Sequence, residues 1–240
     1  MNKTVLITGG TRGIGRALVK QYLAAGYSVY ATGSNENSVA KSNLELPDVQ
    51  WLVCNLMSVK SIENLASSII NRSFDVVIHN AAVQQKRDLF TANNELISIE
   101  NETMINFTAP ILLTRLLFSN VQKVAGTWVF ITTGLAVSPK QSSPIYCANK
   151  AGIRAFCKSF NGQVTRHKSG ITVCEAILPM VETDMTNGYG RGKISPAQAA
   201  REIIKGAAKG QKEIHVGKVR ILMKVRALFP NLIENVMIKL

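Results

Sequence analysis

Apolar residues along this chain fall in short continuous runs separated by longer stretches with helical periodicity. Thr4–Thr8 is an apolar run suited to a strand covered on both faces, and a glycine-rich turn and a helical pattern over Gly15–Ala25 follow it. Gly26 stops that helix, and Ser28–Ala31 reads as the next strand. Further strands are predicted at Val49–Cys54, Val76–His79, Gly126–Thr132 and Gly170–Ile177. Helical patterns lie between them near Val59–Ile70, Asn101–Val121, Ile145–His167 and Pro196–Lys209. Strands joined by helices long enough to cross over give right-handed parallel βαβ units. The alternation therefore predicts one α/β domain over residues 1–240, a doubly wound, Rossmann-like parallel sheet with helices on both faces, ending in a basic amphipathic segment over 215–240.

Composition supports a packed protein, since 46% of its 240 residues are hydrophobic and 18% are charged. No repeat, low-complexity segment or linker divides it. The longest apolar stretches, near Thr127–Pro139 and Ser169–Val181, are interrupted by polar residues, glycine or proline, so no membrane span is predicted. Val5-Leu6-Ile7 is too short for a signal peptide, and a cytoplasmic location is expected. Cys54, Cys147, Cys157 and Cys174 show no CxxC pairing, so reduced, buried thiols are expected and no metal site. Lysine and arginine exceed aspartate and glutamate by 28 − 15 = 13. That excess suits a polyanion, but no basic run is interleaved with stacking aromatics, and nucleic acid is not an expected partner.

The turn after the first strand reads Thr8-Gly9-Gly10-Thr11-Arg12-Gly13-Ile14-Gly15. Glycines there let the backbone bend and approach a pyrophosphate at the positive end of the next helix, as dinucleotide binding requires. Downstream, Tyr146 and Lys150 are four residues apart, which on a helix sets phenol and ammonium on one face. A neighbouring cation stabilises phenolate, as a general acid/base for carbonyl reduction needs. At the end of the second strand, Ala31-Thr32-Gly33-Ser34-Asn35 has no carboxylate to repel a ribose 2′-phosphate, and Arg12 offers a guanidinium to one. This favours NADP over NAD, unless Arg12 simply faces solvent. His79 reads as a core or rim residue, and His167 and His215 carry no assigned chemistry.

Together, TGxxxGxG (Thr8 to Gly15) and YxxxK (Tyr146 to Lys150) resemble the short-chain dehydrogenase/reductase family. Asn80-Ala81-Ala82 resembles its Asn-Ala-Gly element, with alanine in the last place, and Asn106 matches a helical asparagine. The resemblance implies an NADP-dependent oxidoreductase that interconverts a small-molecule carbonyl and alcohol by hydride transfer. It implies Asn106, Thr133, Tyr146 and Lys150 as the catalytic set, with Thr133 where the family carries serine. Ser138, Ser142 or Ser143 remain alternatives for that hydroxyl. Asn106 would hold a water linking Lys150 to solvent. The implied cofactor contacts are Gly9, Thr11, Arg12, Gly13, Ile14, Gly15, Ser34, Asn55, Leu56, Asn80, Ala81, Tyr146, Lys150, Pro179, Val181 and Thr183. Met180 replaces the usual glycine after Pro179. Helices near 101–121 and 146–164 imply a homodimer or homotetramer.

Three departures, Ala82, Thr133 and Met180, motivate an alternative: a cofactor-binding regulatory or scaffold protein with little catalysis. Thr186–Ser195, with glycine at every second position from Gly188 to Gly192, is a candidate substrate lid. The tail from His215 interleaves Lys218, Arg220, Lys224 and Arg226 with apolar residues. It reads either as a peripheral membrane segment or as a terminal strand and helices packed on the core or a second subunit.

Overall fold

Val5, Leu6 and Ile7 are wholly buried in the first strand, β1 (Thr4–Ile7), because helices cover both faces of the sheet to which it belongs. The structure, a computed structural model, describes residues 2–91, 96–188, 190 and 192–239. The chain alternates from β1 into α1 (Gly13–Ala24), β2 (Ser28–Gly33), α2 (Glu36–Glu45), β3 (Gln50–Val53), α3 (Val59–Ser68) and β4 (Val76–His79). It continues through α4 (Ile99–Thr103), a π-helical turn (Met104–Thr108), α5 (Ala109–Leu116), α6 (Phe118–Gln122), β5 (Thr127–Thr133) and α7 (Pro144–Arg166). The last elements are β6 (Thr172–Leu178), α8 (Pro196–Ala208), β7 (Glu213–His215), α9 (Val219–Leu228) and α10 (Pro230–Met237).

Seven strands form one sheet in the order β3-β2-β1-β4-β5-β6-β7, every neighbouring pair parallel. Alternate residues serve opposite faces. Val5 and Ile7 face a core shared with α1 and α8, through Leu18, Val19, Ala199 and Ile203. Leu6, Val77, Trp128 and Phe130 face the other, filled by Ile62 of α3, Leu113 of α5 and Ile153 of α7. The chain winds one way from β1 to β3 and the other from β4 onward, so the crevice where the order reverses opens between the C-terminal ends of β1 and β4.

The expected strands form within one to two residues of their predicted ends, and β7 adds a seventh. One expected helix, Asn101–Val121, is broken into α4, the π turn, α5 and α6. A further helix, α2, stands where no apolar periodicity marked one. His79 is buried and lies between Trp128 and Phe130, at 5.6 and 4.7 Å between ring centres. Thr114 Oγ1 donates to the Pro110 carbonyl at 2.7 Å, so the 2.9 Å contact with His79 Nε2 requires the proton on Nε2. Burial lowers the His79 pKa to about 3, with Lys150 adding to the effect. The four cysteines are buried and unpaired, and burial raises each thiol pKa, that of Cys54 to about 11.

Candidate active site

The glycine turn is shaped by contacts that leave no room for side chains. Gly9 and Gly13 have φ of +67° and +55°, a region that disfavours residues with a Cβ. A Cβ on Gly15 would overlap the Gly9 carbonyl oxygen and stand 2.6 Å from Asn80 Nδ2. Asn80 Nδ2 donates to the carbonyls of Thr8 and Gly9 at 2.9 and 3.0 Å, while Thr8 Oγ1 accepts from the Asn80 and Ala81 amides at 3.0 and 3.2 Å. Asn80 and Thr8 thus tie the end of β4 to the turn after β1. Helix α1 then starts at Gly13 with no side-chain cap and no acidic residue in its first turn. Its first amides and positive dipole end face the crevice, an arrangement that fits a pyrophosphate.

This crevice belongs to a cavity of about 1470 Å³. Such a volume exceeds a usual single-ligand pocket of roughly 300–1,000 Å³, leaving space for a dinucleotide and a second molecule. Gly9, Thr11, Arg12, Gly13, Ile14 and Gly15 line one side. Ser34, Asn55, Leu56, Asn80 and Ala81 continue that wall, and Thr133, Tyr146, Lys150, Pro179, Val181 and Thr183 close the other. Ser34 follows β2, where Asn35 caps α2 by accepting from the Ser38 amide at 2.9 Å. The Asn55 side-chain oxygen accepts from the Met57 amide at 3.0 Å, which fixes the loop and leaves the amide group for other contacts.

Asn106 is the one proposed site residue that does not line the cavity. It is fully buried in the π turn, where its side chain accepts from the Val83 amide at 3.0 Å and donates to the Val83 carbonyl at 2.7 Å. The Val83 backbone engages both ends of the carboxamide, so the side chain positions the Ala81–Val83 wall.

Tyr146 and Lys150, one turn apart on α7, are both almost inaccessible to solvent. The Lys150 ammonium lies 5.9 Å from the Tyr146 ring centre and donates to the Ile131 carbonyl at 3.0 Å. Burial lowers the Lys150 pKa to about 8. Thr133 ends β5, and its hydroxyl accepts from the Leu135 amide at 3.3 Å, which leaves its own proton to donate. Among the alternative serines, only Ser142 lines the cavity. Ser143 Oγ accepts from Gln84 at 3.1 Å, and Ser138 is fully buried away from the cavity wall.

Past β6, Val181 forms a bridge with Ile194 that closes the base of the glycine loop, reinforced by Glu182 N to Ile194 O at 2.9 Å and Ile194 N to Met180 O at 3.2 Å. Tyr189 and Arg191 of the candidate lid lie outside the described residues. Gly190, at φ +81°, packs so closely on Met180 that a Cβ there would overlap the thioether sulfur. Arg12 reaches across the cavity mouth to Asp184 at 3.2 Å, both side chains well exposed. This pairing was not anticipated.

Leu222 of α9 and Met237 of α10 also line the cavity, and Gln141 N donates to the Ile238 carbonyl at 3.0 Å. The tail is therefore a short strand and a helical hairpin lying beside the cavity, as one of the two sequence readings had it. Its i, i+3 and i, i+4 apolar spacing signalled an amphipathic segment but not the wall it would join. No described helix is long and apolar enough to cross a membrane. Leu240, the last apolar residue of the tail, lies outside the described residues.

Comparison with known proteins agrees with this geometry. The family model described as short chain dehydrogenase matches residues 3–193. A Bacillus subtilis protein named uncharacterized oxidoreductase DltE is 30% identical over 245 residues, covering 98% of this chain and 96% of its own. The 3-oxoacyl-[acyl-carrier-protein] reductase FabG of Haemophilus influenzae is 31% identical over 193 residues, covering 77% of this chain and 76% of its own. A short chain dehydrogenase from Burkholderia cenocepacia, solved in complex with NADP, superposes with a TM-score of 0.88 at 16% identity, over 100% of this chain and 98% of the other. The chain belongs to the short chain dehydrogenase family, oxidoreductases that act on alcohol and carbonyl groups.

Proposed function

We propose that residues 1–240 act as one NADP-dependent reductase or dehydrogenase, with Tyr146 as the general acid/base. The observation that carries this reading is the joint placement of Tyr146, Lys150 and Thr133 across one cavity from the glycine cradle. When bound, the nicotinamide supplies or accepts the hydride that interconverts carbonyl and alcohol. The turn from Gly9 to Gly15 and the amides opening α1 would hold the pyrophosphate, Ser34 and Asn55 the adenosine end, and Pro179, Val181 and Thr183 the nicotinamide end.

Thr133 donates its hydroxyl proton as a hydrogen bond to the carbonyl oxygen and stabilises the negative charge that grows there. Tyr146 gives its phenolic proton to that oxygen, and the Lys150 ammonium stabilises the phenolate left behind. Preference for NADP follows from the same local chemistry: the first carboxylate after β2 is the exposed Glu36, and Arg12 stands in the turn as a cation. The non-catalytic alternative has no support in the comparisons. Half-buried Phe107, Ile111, Leu112 and Phe118, on the helices expected to pair between subunits, favour self-association.

Absorbance loss of NADPH against a panel of ketones, aldehydes and acyl thioesters tests the reading. Tyr146→Phe should lower turnover at least about a thousandfold. NADPH affinity should stay within about threefold, because the phenol is not a phosphate contact. Thr133→Ser should keep most activity, whereas Thr133→Ala should lose about a hundredfold. Full turnover in Tyr146→Phe would remove that side chain from the chemistry.

A further inference from the structure

The C-terminal hairpin carries two unlike surfaces. Its inner side is half-buried, with Leu222 and Met237 on the cavity and Leu222 packed closely on Gly134. Its outer side is exposed and follows a helical pattern. On α9, Arg220, Ile221, Lys224 and Leu228 fall on one face by i, i+3 and i, i+4 spacing. On α10, Leu232 and Val236 share a face one turn apart, next to Phe229. Leu228, Ile221 and Leu232 are 74%, 63% and 58% exposed. Single exposed aliphatic side chains are ordinary, but several gathered on one hairpin and rimmed by cations make a patch of the kind that marks an interaction surface.

Charge selects the occupant. Residues 215–239 hold five cations, Lys218, Arg220, Lys224, Arg226 and Lys239, against Glu234, a net of 5 − 1 = +4 with histidine neutral. Glu234 is taken by Arg226 at 3.2 Å. None of Lys218, Arg220, Lys224 and Lys239 has an acidic partner among the described residues. A second copy of this face would bring like charges together, whereas an anionic lipid surface offers complementary charge and an apolar layer for the aliphatic side chains.

We propose that the outer face of α9 and α10 docks on an anionic bilayer. Because the inner face of the same hairpin lines the cavity, docking sets the cavity beside the lipid. Resting on the oxidoreductase reading above, this makes the substrate class an amphiphilic carbonyl or alcohol that enters from the bilayer.

Sedimentation of the full chain with vesicles of phosphatidylcholine alone, or with a third phosphatidylglycerol, tests docking without any turnover. The full chain should pellet with the anionic vesicles, remain soluble with the neutral ones, and be released as salt is raised. Arg220→Glu with Lys224→Glu should weaken partitioning at least about tenfold. Ile221→Ser with Leu228→Ser should also weaken it, through the apolar contribution. NADPH titration and melting of the same variants establish that the fold and the cofactor site are intact, so failure of docking is separable from failure of the catalytic reading. Absence of pelleting, or equal pelleting of wild type and both intact variants, would overturn the proposal. So would an oligomer that dissociates only in the Ile221→Ser/Leu228→Ser variant while vesicles bind nothing, which would make the face a subunit contact.

Discussion

The two sides of the cavity are built on opposite plans. Around the glycine turn, shape comes from backbone: Asn80 and Thr8 bridge the ends of β1 and β4, and added carbons at Gly9 or Gly15 meet atoms that cannot move. On the far side, shape comes from side chains on late elements: Met180, Leu222 and Met237, carried by a loop held at one bridge and a half-exposed hairpin. Backbone surfaces tolerate little change, and thioether and aliphatic surfaces repack. One side is thereby suited to an invariant cofactor and the other to a substrate that differs from protein to protein.

Gly15→Ala is the strongest way to break this contrast. The new methyl overlaps the Gly9 oxygen, so NADPH affinity should fall at least about a hundredfold and the Asn80 bridge should loosen, measured by fluorescence titration and NMR of the side-chain amide. An affinity within threefold of wild type would mean the turn is not the cradle. Acid should expose the next largest effect. His79 stays neutral in the folded protein down to about pH 3, whereas its unfolded counterpart takes up a proton near pH 6.5. The unfolded state therefore binds more protons in that window, and stability is full above it and lost as pH falls through it. Urea unfolding at pH 7 and pH 4.5 should differ by about 2–3 kcal/mol from this group, and His79→Gln should remove that part of the difference. An identical acid loss in the variant would assign it elsewhere.

The smallest effect sharpens the contrast at the point where the two sides meet. Asp184→Asn frees Arg12 from an exposed ion pair, a change of about 0–1 kcal/mol in stability. NADPH should bind about two- to fivefold more tightly and NADH no differently, as titration of both would record. Equal changes for the two cofactors would exclude Arg12 from phosphate discrimination.

Legibility in the sequence followed the same divide. Continuous apolar runs marked β1, β4, β5 and β6 because those strands are buried on both faces, and the glycine spacing marked the turn because the positive φ at Gly9 and Gly13 and the approach of Gly15 to Gly9 are local to it. Helix α2, ENSVAKSNLE, was hidden because only Ser42 among its residues is buried, so it shows no apolar stripe. The three residues of β7 were too short a run to place, so a terminal strand entered only as one reading of the tail. Asn80 was recognisable as a motif, but its bonds to Thr8 and Gly9 span more than 70 residues of sequence, as the Arg12 to Asp184 pair spans 172. Such contacts leave no local period to read. The tail showed its amphipathicity plainly, yet which of its faces turns inward depends on the loop at Gln141 that receives it.

The π turn at Met104–Thr108 changes the phase of everything downstream of it. A π turn holds more residues than an α-helical turn, so it offsets the faces of the segments on either side, where Glu102 meets Arg87 and Leu113 enters the core beneath the sheet. The wider turn takes up that offset and, in doing so, sends Asn106 inward to clamp Val83. Deleting one residue there would leave the helical content nearly intact while rotating the clamp out of reach, so a lesion invisible to circular dichroism would unfasten a wall of the cavity.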